Sequence, residues 1–508
     1  MKLLRNILSG WAYMIVSSAV VLFMTPFIIK SLGVATFGVW ALLLNVIGYL
    51  NLLDFGSQQA QARFLSRAVG KEDSTLFAEV FSNTAILFFA IGSLILIAVA
   101  ILAQFGDQIF NIPAEGQDDF RLILWIIGSM VALEFASKSY GGSLAARESL
   151  DVINLIEICG VVVQALLVFS VLKYKLGLIG MASAVGLTML LKIISYVVVA
   201  HVSIPHARIS FKRYRLHILR ELLGYGSVSY AIVALDLIKT NIGIPLIAMF
   251  MTTADAAYYS IAAQFVFYFY LMSRSVNGAF IPRISKLEGQ GNWIELRHQF
   301  FLGTRIIAGM IFFVGISMMV FAGKFVELWL GKGFEPTYYV LLILTPAAMI
   351  ALVQAVGTGF LFATSNHSFF AKISAAESVS AILLGLFLVK PLGVYGMAFG
   401  TLVPAIIFRG ILLPRTISRL VGISLVEYFN KGFRAQIVYG AVYAVIAWSG
   451  YQLLKDEIAS LWSFGVVAFM FLLVGLALAY AICLNADERA SFVRRISDRV
   501  LRRQQSTS

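Results

Sequence analysis

Cysteine is almost absent from this chain, whose 508 residues include only Cys159 and Cys483. Both fall inside long apolar runs, so neither a structural disulfide nor a thiolate metal site is expected. Charged residues are also scarce, 13% of the chain against 60% hydrophobic residues. That balance leaves too little polar surface to coat a soluble domain. No glycine loop able to cradle phosphates occurs, and neither a zinc-ligand spacing nor a nucleophile elbow. The chain therefore has no ATP site, and any energy-requiring process it carries out must draw on another source. No segment between apolar runs is long enough to fold as an enzyme domain.

What the sequence has instead is apolar runs of about 20 residues, each able to cross a bilayer. They lie near 7–30, 37–57, 79–105, 120–140, 151–172, 177–200, 222–250, 255–276, 299–322, 337–363, 368–389, 393–413, 434–454 and 461–484. The expectation is an all-α integral membrane protein with fourteen transmembrane helices. The first run is too long for a cleavable signal and has no small-residue cleavage site before Pro26. A net charge of +13 suggests nucleic acid until its distribution is counted. With the amino terminus inside, 29 of the 39 Lys and Arg fall in or beside inner loops and the tail, and eight near outer turns. That bias places both termini in the cytoplasm, and no nucleic-acid partner is expected.

The stretch Pro26 to Arg63 reads as a membrane hairpin with a short outer turn, and it has a later echo. A gapless shift of 219 positions sets Pro26 over Pro245, Ala35 over Ala254, Ala60 over Ala279 and Gly70 over Gly289. Leu176-Gly177-Leu178-Ile179-Gly180-Met181-Ala182 recurs 216 positions on as Leu392-Gly393-Val394-Tyr395-Gly396-Met397-Ala398. A duplicated half is the economical explanation. The glycines of this motif serve either close helix approach or a simple turn. The domains are an N-terminal lobe at 1–201, a basic cytoplasmic linker at 202–220, a C-terminal lobe at 221–420, two added spans within 421–485 and a tail at 486–508. In the tail, an apolar stripe beside a basic face suits the inner membrane surface. His201, His206 and His217 in or beside the linker read as solvated or as lipid-headgroup contacts. Trp329, in an outer loop, reads as an interfacial anchor.

Two six-span halves in parallel orientation plus two added spans resemble a known family. The carrying residues are Pro26, Lys30-Ser31-Leu32-Gly33, Phe37-Gly38-Val39-Trp40 and Leu52-Leu53-Asp54-Phe55-Gly56, with the repeated Leu-Gly-x-x-Gly-Met-Ala in support. The chain resembles an oligosaccharide flippase of the multidrug/oligosaccharidyl-lipid/polysaccharide exporter superfamily, in its polysaccharide biosynthesis branch. The resemblance implies a bacterial inner-membrane transporter with two lobes related by a pseudo-two-fold axis, working by alternating access around a central cavity. It implies a polyprenyl-diphosphate-linked glycan as cargo, moved from the inner to the outer leaflet for O-antigen, capsule or exopolysaccharide. Membrane lipids, a polysaccharide polymerase and glycosyltransferases are the partners it implies, with no cofactor.

Ionisable groups inside spans are costly and default to functional hypotheses. Lys192 and Arg409 lie deep, with no acid one turn away on their own helices; a cation facing a cavity suits a diphosphate. Lys239 also sits mid-span. Arg63, Arg274 and Arg305, near inner ends, either line the cavity or reach headgroups. Glu134 and Lys138 are spaced to neutralise each other in one helix. In the run Phe265 to Tyr270, Tyr268 or Tyr270 is a candidate to stack on sugar. Asp236, Thr240 and Asn241 on the seventh span, and Ser374, Glu377 and Ser378 on the eleventh, form a candidate proton or sodium coupling site. The resemblance supports it by helix and chemistry. The competing account is an Asp236–Lys239 ion pair with Glu377 neutral. No metal is expected beyond such a sodium ion. The alternative functions are a cation-coupled multidrug exporter of the same superfamily, or a membrane O-antigen polymerase or ligase, which would need a long outer loop.

Overall fold

The structure is a computed structural model that describes residues 2–483 except 55, 113–115 and 365. The tail at 486–508 lies outside the described residues. Every regular element among the described residues is helical. Among the described residues, eleven helical stretches are long and apolar enough to cross a membrane, which makes this a multi-pass membrane protein. One of them, 368–421, has 54 residues, roughly 80 Å of helix at 1.5 Å per residue. It is turned at Gly393, whose φ is 58°. The chain divides into two compact units, Met1–Ser260 and Ile261–Ser508.

The first unit holds α1 (Lys2–Leu32), α2 (Val34–Leu50), α3 (Ser57–Gly70), α4 (Ser74–Ile109), α5 (Gln117–Ala146), α6 (Leu150–Lys173), α7 (Gly177–Ser203), α8 (Leu216–Asn241) and α9 (Gly243–Phe250). Helix α5 packs along α4 and α7, and α1 along α6. After α2 the chain tightens into a 3-10 turn, Asn51–Asp54. It then passes through Gly56 at φ 76° into α3. Ser57 Oγ donates to the Asp54 carbonyl at 2.6 Å and to its Oδ1 at 2.7 Å. The Leu52–Gly56 motif thus marks a break between two helices, where only a glycine adopts a left-handed φ at little cost.

The linker is built into this unit. Ile204, Ala207, Ile218 and Leu222 are buried with Leu65, Phe77, Phe81 and Leu144 in one apolar cluster. Asn83 on α4 donates from Nδ2 to the Arg213 carbonyl and accepts the Arg215 N–H at Oδ1, each at 2.9 Å. Ser82 Oγ accepts the Ser210 N–H at 3.2 Å. Backbone groups that a solvated loop would leave to water are satisfied by two side chains of α4. His201, His206 and His217 stay exposed.

The second unit continues α10 (Thr253–Gly289) and holds α11 (Trp293–Leu330), α12 (Glu335–Leu352), α13 (Ala355–Ala363), α14 (His367–Pro404), a π-helix (Ala405–Leu412), α15 (Leu413–Val421), α16 (Leu425–Gly432), α17 (Arg434–Leu454) and α18 (Leu461–Cys483). Helix α11 carries α12, α13, α17 and α18. The short α15 is amphipathic, burying Leu413, Ile417 and Val421 and exposing Arg415 and Arg419. Arg297 donates to the terminal carbonyls of Val421 and Gly422, both at 3.0 Å, which caps that helix. Trp329 is not an interfacial anchor. It is buried, with its ring 5.7 Å from Phe265 and 5.5 Å from Phe325, because α10 and α11 close over it. In the aromatic run, Phe267 is exposed and Phe269 buried.

The two units share local geometry at the spacings read from the sequence. Glu72 and Gly291, 219 apart, both have positive φ, 55° and 67°. Next to them, Asp73 accepts the Leu76 N–H and Asn292 the Glu295 N–H, as N-caps of α4 and α11. Gly177 and Gly393, 216 apart, have φ 64° and 58°. The second glycine of each motif meets packed neighbours. A Cβ on Gly180 would lie 2.5 Å from Leu176 Cβ, and one on Gly396 would lie 2.0 Å from the Leu388 carbonyl oxygen. The first glycine of each motif is therefore a turn residue; the second is packed against Leu176 at the start of its own helix in one motif and against the backbone before the turn in the other.

Candidate functional site

In the second unit, α14 and the π-helix bring four of the expected residues together. Arg409, Glu377, Ser374 and Ser378 are all buried. Arg409 Nε donates to Glu377 Oε2 at 2.5 Å, and Nη2 donates to Ser374 Oγ at 3.2 Å. The guanidinium carbon sits 4.8 Å from the ring centre of Phe370, so the cation also rests on an aromatic face. Ser378 Oγ donates back to the Ser374 carbonyl at 2.8 Å. Phe370, Ser374, Glu377 and Ser378 recur at helical spacing, which lines them along one side of α14. Arg409 lies within the eight-residue π-helix, a wide-turned conformation that is rare and concentrates at functional positions. Charge-assisted bonds of this kind are among the stronger ones in a protein.

The first unit holds an analogous pair. Lys192 Nζ on α7 lies 2.7 Å from Glu157 Oε2 on α6. Tyr196 Oη donates to the other carboxylate oxygen at 2.8 Å. The lysine stem crosses α6 at Gly160, where a Cβ would come within 2.7 Å of Lys192 Cδ. Both side chains keep about a quarter of their surface, 28% and 22%, whereas Arg409 and Glu377 keep 9% and 4%.

Neither acid was visible as a partner from helix periodicity, because each stands on a neighbouring helix. Hairpin arithmetic would have found both. Counted from the matching leucines of the two motifs, Glu157 lies 19 residues before Leu176 and Lys192 16 after it; Glu377 lies 15 before Leu392 and Arg409 17 after it. Two helices leaving one tight turn set such residues at similar depth.

The remaining residues are dispersed. Arg63 is exposed on α3, and Arg305 and Lys239 are half-buried on α11 and α8. Thr240 is exposed, and Asn241 donates to the Leu237 carbonyl of its own helix at 2.9 Å. The side chains of Asp236 and Arg274 lie outside the described residues. Lys138 reaches the 3-10 turn after α2, donating to Asn51 Oδ1 at 3.3 Å with its ammonium 3.4 Å from the Phe135 ring centre. A buried polar cluster that periodicity did not reveal joins three helices of this unit. Gln61 Nε2 donates to Thr84 Oγ1 at 3.1 Å and to the Ser139 carbonyl at 3.3 Å. Among the described residues no three His, Cys, Asp or Glu side chains gather to hold a metal ion.

Residues 30–339 match the family model described as polysaccharide biosynthesis protein. The chain is 22% identical to the uncharacterized membrane protein EpsK of Bacillus subtilis (strain 168) over 455 residues, 88% of each chain. It is 19% identical to a putative O-antigen transporter of Shigella flexneri, over 73% of this chain and 87% of the other. Among solved structures, the lipid II flippase MurJ in an inward closed conformation aligns with a TM-score of 0.69 at 14% identity, covering 94% of this chain and 98% of that one. An inward-facing multidrug resistance MATE family transporter of the MOP superfamily aligns with a TM-score of 0.67 at 15% identity, covering 81% and 95%. The fold is therefore that of MurJ and the MATE transporters.

Proposed function

The chain belongs to the polysaccharide biosynthesis protein family, and from that premise we propose that it is a flippase for lipid-diphosphate-linked oligosaccharide. It moves its cargo from the inner to the outer leaflet of the bacterial cytoplasmic membrane by alternating access, supplying surface polysaccharide assembly. It performs no catalysis, and its partners are the lipid-linked glycan, membrane lipids, and the polymerase and glycosyltransferases that use and make that glycan. The family match over 30–339 carries this reading. The fold shared with a lipid flippase supports it.

In this reading the chain crosses the membrane fourteen times, with both termini cytoplasmic and two six-span lobes in parallel repeat. The turn at Gly393 supports two crossings within 368–421, and α8 to α10 stand where two more are expected. The paired positive φ values and N-caps support the repeat. Cavity cations are drawn from Lys192, Arg409, Arg274, Arg305, Lys239 and Arg63. Of these, Lys192 and Arg409 have carboxylate partners. An anionic cargo would reach them only by competing with Glu157 and Glu377.

A deletion strain tests the function. Loss of surface polysaccharide, with lipid-linked oligosaccharide accumulating and facing the cytoplasm, is the expected result. Normal surface polysaccharide in the deletion strain would overturn it.

A further inference from the structure

The residues on α14 were expected to offer oxygen atoms to a coupling cation, and their geometry does not fit one. A hard cation needs carboxylate, hydroxyl or carbonyl oxygens with lone pairs turned toward it. Here Glu377 Oε2 and Ser374 Oγ both accept N–H groups of the Arg409 guanidinium. The Ser374 carbonyl accepts Ser378 Oγ instead. A positive charge is already in place, fixed to the chain and stacked on Phe370.

We propose that Arg409 is a tethered counter-ion that fills the cation position at Glu377, so that this chain takes up no sodium ion there. The inference stands apart from the flippase reading, since it concerns only what neutralises Glu377. Three observations carry it. The pair is buried in its own unit. The guanidinium contacts a carboxylate, a hydroxyl and an aromatic face at once. The helix carrying it is wound as a π-helix at Arg409, and in the other unit the corresponding Lys192 lies on the α-helix α7. Arg409 follows Lys192 by 217 positions, one more than the 216 of the Leu-Gly motif just upstream. The longer i to i+5 turn of a π-helix accommodates one added residue. The backbone is thus locally altered at the residue that supplies the charge.

Thermal unfolding of the purified full chain in lipid nanodiscs tests this, with sodium chloride exchanged for choline chloride at constant ionic strength. The wild-type midpoint is expected to be the same in both salts. Arg409→Ala is expected to unfold at lower temperature and to recover part of the loss in sodium or in millimolar methylguanidinium. That recovery disappears in Arg409→Ala/Glu377→Gln. Should Arg409→Ala yield no folded protein, Arg409→Lys serves, because its ammonium keeps a charge at Glu377 and stays indifferent to sodium. A sodium-dependent rise in the wild-type midpoint that vanishes in Glu377→Gln would overturn the proposal. So would a folded Arg409→Ala indifferent to sodium and methylguanidinium, or a sodium response in Arg409→Lys.

Discussion

Each half of the molecule sets a basic residue after the Leu-Gly turn against an acid before it, yet the two pairs are not equivalent. Glu157 and Lys192 keep about a quarter of their side-chain surface, and the lysine is a flexible point charge shared with a carboxylate that Tyr196 also holds. Glu377 and Arg409 are nearly sealed, and the guanidinium is held at three contacts. Lysine and arginine differ in this way by chemistry, since only the planar fork can bind two acceptors and stack at once. The two pairs agree in the place of the charge and differ in its character. One pair stays partly exposed, and the other is almost sealed in the interior.

The largest expected effect breaks the sealed pair. Removing one partner of a buried ion pair leaves the other uncompensated and costs about 3–5 kcal/mol. Arg409→Ala and Glu377→Ala should each lose about that much in denaturant unfolding, while Arg409→Met combined with Glu377→Met should regain most of it. Lys192→Ala, at a more exposed pair, should cost on the order of 1 kcal/mol. Equal losses at Lys192 and Arg409 would erase the distinction between the pairs.

A second contrast sharpens the first at a smaller scale. Gln61 and Thr84 hydrogen-bond in the first unit, and 219 positions on stand Phe280 and Gly303. A Cβ on Gly303 would lie 2.9 Å from the Phe280 ring, so the same crossing is polar in one half and tightly apolar in the other. Gly303→Ala should destabilise the protein by about 1–3 kcal/mol through overpacking. A neutral result would mean that the ring moves freely and the crossing is loosely packed.

Much of this fold was legible because membrane spans are written in long apolar runs, and the break at Leu52–Gly56 and the turns at Gly177 and Gly393 in glycine. Burial of Arg409 was legible too, since a cation deep in a span is rare. Its partner was not, because hydropathy and periodicity describe one helix at a time and Glu377 stands on another. The π-helix left no local signal beyond one residue of excess spacing. Trp329 misled because loop position alone cannot show that Phe265 and Phe325 enclose it.

The most direct measurement reconstitutes the purified chain in liposomes carrying a polyprenyl-diphosphate oligosaccharide. A membrane-impermeant, glycan-modifying enzyme is added outside. Accessible glycan is expected to rise beyond the outer-leaflet fraction toward completion at a rate proportional to protein. A plateau at the outer-leaflet fraction, unchanged from protein-free liposomes, would contradict the account.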